Sequence, residues 1–144
     1  MLYNAAFEGV LAEGLQACKR HDEADATVSS ALARCQDSGT AWCVPELVRV
    51  RALSLAARER TPEAIGLLIS ALEIARSHGA LAWELKLAST LVGIDDRDSA
   101  RDRLREILNR TTEGFGTRDY RDAVARLGQA RDPPGSPHPR EAAR

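Results

Sequence analysis

Four side chains in the first third of the chain have the chemistry of metal ligands: Cys18, His21, Cys35 and Cys43. A tetrahedral zinc site needs such donors to converge, normally from closely spaced pairs. Only Cys18 and His21 are close in sequence, and Cys35 falls on the apolar side of a helical pattern, so core-filling thiols are expected rather than a metal site. The three cysteines are an odd set and a poor disulfide framework, which points to reduced thiols and a cytoplasmic location. The run Thr112-Glu113-Gly114-Phe115-Gly116-Thr117 contains glycine but lacks the lysine and the preceding strand of a phosphate loop. It reads as a turn in which the glycines permit positive φ and Phe115 plugs the end of the core. His21, His78 and His138 have no nucleophile or acid beside them in the pattern. The charges from Asp95 to Arg105 read as a solvated face with the pairs Asp98–Arg101 and Asp102–Arg105. These residues lead to the expectation of a non-enzymatic chain with no catalytic residues, no cofactor and no metal.

The chain has 144 residues, enough for one domain with a substantial core. Alanine and leucine abound and aromatic residues make up 4%, a balance that favours helix over strand. The formal net charge of −1 supplies no field to recruit nucleic acid or a membrane surface. Lys19 and Lys86 are the only lysines, and the arginine excess is read as genome composition bias. The N-terminus has no basic region followed by a long apolar run, so neither a signal peptide nor a membrane span is expected.

Two helices between Val44 and Gly79 set the pattern. Leu47, Val48, Leu53, Leu55 and Ala56 recur at helical spacing, behind a proline, Pro45, that belongs in a first turn. Arg58-Glu59-Arg60 ends this helix, and Thr61-Pro62-Glu63 starts the next with a capping hydroxyl, a proline and an acid. Ile65, Leu68, Ile69, Leu72 and Ala75 form its stripe, and Gly79 stops it. Before this pair, a helix is expected from Met1 to Arg20, with Leu2, Phe7, Val10, Leu11, Leu15 and Cys18 inward. A second follows from Glu23 to about Gln36, with Asp22 as its cap and Ala24, Val28, Ala31, Leu32 and Cys35 inward. After the central pair, helices are expected from Leu81 to Val92 and from Asp98 to Asn109, and a seventh, capped by Thr117, ends near Gly128. Residues 1–128 thus read as one helical repeat domain, and 129–144, rich in proline and arginine, as a disordered tail.

The pairs repeat. Ala12 precedes Ala52 by 40 residues, and the same offset relates Leu15 to Leu55, Ala24 to Ala64, Val28 to Leu68, Ala31 to Ala71 and Gly39 to Gly79. An offset of 36 relates Ala52 to Ala88, Leu55 to Leu91, Ala64 to Ala100 and Leu68 to Leu104. Small residues let the helices of a pair approach, while the larger ones fill the space to the next pair. This arrangement of small and large residues resembles the tetratricopeptide repeat. The segments beginning HDEADATVSSALARCQ, PEAIGLLISALEIARSHG and TTEGFGTRDYRDAVARL are similar to the C-terminal helical region of bacterial cyclase/ATPase-type transcriptional regulators. The resemblance implies an all-α fold, a right-handed α-α superhelix of about three tetratricopeptide-like hairpins plus a C-terminal capping helix. It implies a protein-protein interaction or regulatory module of a bacterial signalling system, a C-terminal fragment or companion of a larger ATPase or cyclase. No phosphate-loop motif is present to carry the ATPase activity itself.

On that packing, Glu13, Gln16, Glu46, Arg49 and Leu53 face the inner side of the superhelix, where a protein or peptide partner would bind. The other reading is a sensor that binds a small effector inside the superhelix. Arg51 occupies an inward position and calls for a carboxylate partner, Glu84 or Glu63. Trp42 and Trp83 are expected to pack against the preceding hairpin. Leu2, Tyr3 and Phe7 form the uncapped end of the array, a docking face for another protein or a second copy.

Overall fold

The computed structural model describes residues 4–38 and 42–128. They form α1 (Asn4–Ala17), α2 (His21–Ser38), α3 (Val44–Ala57), α4 (Thr61–Ser77), α5 (Leu81–Ile94), α6 (Asp98–Arg110) and α7 (Arg118–Gly128). No strand occurs among the described residues, so the chain is all-α as expected. Leu2, Tyr3, Gly39 and the tail 129–144 lie outside the described residues.

Each helix packs on its successor, and α1, α3, α5 and α7 also form a continuous row, each touching the next odd-numbered helix. The even-numbered helices touch only their odd-numbered neighbours, so the chain lies in two layers. The repeated positions explain this. Ala12, Ala52 and Ala88 are fully buried, as are Ala24 and Ala64, with Ala100 at 3% exposure. Val28, Leu68 and Leu104 are likewise fully buried. Buried apolar residues fall into two clusters that meet on α3. Leu47 and Val50 join the cluster of α1 and α2, whereas Ala52 and Leu55 join the larger one that runs through to Ala123 of α7.

The repetition extends to the turns. The N–H of Arg20 donates to Leu15 O (2.9 Å), that of Arg60 to Leu55 O (3.0 Å) and that of Ala80 to Ala75 O (2.9 Å). In each of these six-to-one closures the residue before the donor is left-handed: Lys19 (φ 61°), Glu59 (φ 61°) and Gly79 (φ 65°). Arg20–Glu23 and Arg60–Glu63 then form the same two-bond ion pair at the start of α2 and of α4. Only glycine adopts a left-handed conformation without a Cβ penalty. Glu59→Gly is therefore expected to raise stability by about 0.5–1 kcal/mol and Gly79→Ala to lower it by about 1 kcal/mol, both read by urea denaturation. A loss for Glu59→Gly would contradict the turn geometry.

Several expectations are corrected. The apolar side of α1 points outward: Phe7 and Val10 are each 69% exposed, Leu11 is exposed and Leu15 is half-buried. The helix packs instead through Gly9, which meets Leu47, and through Ala12. Asp22 and Thr61 lie inside α2 and α4 rather than capping them. The residue flanking α4 is Arg60, which makes no side-chain cap bond, and Asp22 reaches across to pair with Arg58. Thr117 does cap α7: its Oγ1 accepts from the Tyr120 N–H at 3.3 Å. Gly114 has the positive φ expected of the turn. Phe115 is 52% exposed and forms a T-shaped pair with Tyr120, ring centroids 5.2 Å apart, so it does not plug the core.

Candidate functional site

The row of odd-numbered helices carries a polar cleft of about 290 Å³. Glu13 of α1, Arg49 of α3, Lys86, Ser89 and Thr90 of α5, and Arg118, Asp119, Asp122 and Arg126 of α7 line it. No even-numbered helix contributes to its walls.

Arg49 is its organising charge. The residue is buried, and its guanidinium donates to Glu13 Oε1 (2.7 Å) and to both carboxylate oxygens of Glu46 (2.7 and 3.1 Å). Lys86 Nζ approaches Glu46 Oε2 at 3.0 Å and lies 5.7 Å from the centre of the Trp83 ring. One ion network thus joins α1, α3 and α5. Burial alone would raise the Glu46 carboxyl, but the hydrogen bonds and charges of Arg49 and Lys86 outweigh it and hold the group below the usual carboxylate range. Burial likewise opposes the charge on Arg49, and Glu46 and Glu13 more than compensate. At the other wall Arg118 approaches Asp122 at 3.5 Å. Arg126 lies against Gly93, where a Cβ would come within 2.6 Å of its Nη1, so a larger residue there would make this flexible guanidinium shift.

Of the residues expected on the inner face, Glu13, Glu46 and Arg49 come together in this network. Gln16 and Leu53 are half-buried and do not line the cleft. Sequence reasoning missed Ser89, Thr90 and the whole contribution of α7. Two adjacent hydroxyls in the otherwise apolar run LASTLVGI were the available signal.

Arg51 is a correction. It pairs with Asp25 at 3.4 Å and is partly exposed, because its position on α3 opens toward α2. Glu63 is taken by Arg60. Glu84 is fully buried and receives both terminal nitrogens of Arg110, at 2.8 and 3.1 Å.

Trp42 is another correction, whereas Trp83 packs against the core beside α3 and α4 as expected. Trp42 is 52% exposed and Trp83 half-buried. Together with Val48, Leu67, Ile74 and His78 they line an apolar groove of about 560 Å³ formed by α3, α4 and the start of α5. Among the described residues no three His, Cys, Asp or Glu side chains are grouped to hold a metal ion, and no helix is long and apolar enough to cross a membrane. No protein family, curated protein or solved structure matches the chain.

Proposed function

We propose that this chain is a non-enzymatic interaction module whose odd-numbered helices form the inner face of a right-handed, tetratricopeptide-like superhelix closed by α7. That face holds an extended segment of a protein partner. The observation that carries the reading is the cleft itself, walled by α1, α3, α5 and α7 alone and crossed by the Glu13–Arg49–Glu46–Lys86 network. Side chains fixed by such a network are preorganised, so a partner loses less entropy on binding. Stacked helical pairs present surfaces of this kind to peptides. The sequence resemblance supports reading the module as the C-terminal part or companion of a larger ATPase or cyclase in a bacterial cytoplasmic signalling or transcription-regulatory system.

Panning a random-peptide phage library against the folded chain tests this. Enriched peptides are expected to lose about tenfold in affinity with Lys86→Glu and to be unchanged by Arg103→Glu on α6, a difference of about 1.4 kcal/mol. Equal effects of the two substitutions would refute the assignment of the face.

The Trp42–Trp83 groove favours a second reading, an apolar effector bound between α3, α4 and α5 rather than inside the superhelix. Ligand-dependent quenching of tryptophan fluorescence that is lost in Trp42→Ala supports it, and quenching that survives the substitution opposes it. The exposed Phe7, Val10 and Leu11 are the face on which a second copy docks. Sedimentation that stays monomeric at high concentration excludes that contact.

A further inference from the structure

Cys35 lies in the last turns of α2, and Cys43 is the residue flanking the start of α3. Their sulfurs are 3.4 Å apart, and the residues are only 4% and 2% exposed. Cys18 is exposed. A disulfide requires about 2.05 Å between sulfurs, so the pair needs a further approach of about 1.4 Å. The two helices already pack on each other, so the approach does not require them to be brought together.

We propose that Cys35 and Cys43 form a reversible dithiol–disulfide site that exchanges with low-molecular-weight disulfides. The Cys43 thiolate attacks one sulfur of the small disulfide, whose S–S bond breaks and releases one small thiolate, which takes up a proton. The Cys35 thiolate then attacks the Cys43 sulfur of the mixed disulfide and expels the second small thiol. The two protein thiols have lost two hydrogens and two electrons, and the small disulfide has become two thiols. Burial first, and then the neighbouring Cys43, push the Cys35 thiol up to about 11, so little of it is thiolate at neutral pH and its proximity to Cys43, not its acidity, drives the second attack. The bond fixes the connection between α2 and α3 and anchors Cys43 beside Trp42, a wall of the apolar groove.

The test is to equilibrate the full chain in glutathione buffers of rising disulfide content, quench with acid, alkylate under denaturing conditions and map peptides by mass spectrometry. The expected product is a Cys35–Cys43 cross-linked peptide, about 2 Da lighter than its two reduced components, reversed by dithiothreitol. The oxidised chain is expected to melt about 5 °C higher than the reduced one. Cys18→Ala is expected to retain the bond, and Cys43→Ala to leave Cys35 fully alkylated. Alkylation of both Cys35 and Cys43 after equilibration in the most oxidising buffer overturns the proposal. So does a bond that involves Cys18, or one that forms only in chain unfolded by urea.

Discussion

Leu68→Ala is expected to destabilise the protein by about 3 kcal/mol, and Leu104→Ala by a similar amount. Both side chains are fully buried, and they occupy the same place in successive helical pairs. Truncation removes the transfer free energy of the lost atoms and leaves a cavity that neighbouring helices close only in part. Val28 is fully buried at the equivalent place in the first pair. It has fewer atoms to lose, so Val28→Ala is expected to cost about 2 kcal/mol. Ala64→Leu tests the small half of the pattern: overpacking a fully buried alanine between two helices is expected to cost about 1–3 kcal/mol. Urea midpoints measured with unchanged m-values read all four. A loss below about 1 kcal/mol for Leu104→Ala would mean that the third pair does not pack like the second.

The second large effect is expected at Arg49. Arg49→Met keeps an apolar stem but removes the guanidinium that Glu46 and Glu13 share, leaving Glu46 with Lys86 alone. A cost of about 2–3 kcal/mol at neutral pH is expected, since breaking a buried ion network strands the remaining charge. The pH dependence has a definite sign. Glu46 is held below the usual carboxylate range in the folded state, so its contribution is complete above the unfolded value of about 4.3 and disappears as pH falls through the folded value. The gap in stability between the native protein and Arg49→Met is therefore expected to be constant above about pH 5 and to narrow below about pH 4. A gap that widens in acid would show that the network does not stabilise the ionised Glu46. A double-mutant cycle with Glu46→Gln is expected to give a coupling of more than about 1 kcal/mol.

What was legible in the sequence follows the range of the forces involved. The positions Ala24, Ala64 and Ala100, and Val28, Leu68 and Leu104, were readable because close packing of helical pairs demands the same volume at each repeat. Left-handed Lys19 and Glu59 were not readable, because neither residue type favours that conformation and only the six-to-one turn closure imposes it. The helix starts at Asp22 and Thr61 were misplaced because a good capping residue one step inside a helix is indistinguishable in sequence from one at its edge. The outward face of α1 was inverted because periodicity identifies an apolar stripe and not whether another helix covers it. Glu13, Glu46 and Arg49 could be placed on one side from the repeat. Arg118, Asp119, Asp122 and Arg126 could not, because the rotation of α7 is set by its docking on α5 and α6, including the bond from Arg101 to Leu127 O. The approach of Cys35 to Cys43 was hidden for the same reason: the docking of α2 on α3 decides it, not helical spacing.

Recognition is expected on the side of the odd-numbered helices. An amide NMR titration of the chain with a peptide enriched by panning tests it most directly. The largest shifts are expected at Glu13, Arg49, Lys86, Ser89 and Thr90, with α2, α4 and α6 nearly silent. Shifts concentrated on α2, α4 and α6, or around Trp42 and Ile74 with the cleft unperturbed, would contradict it.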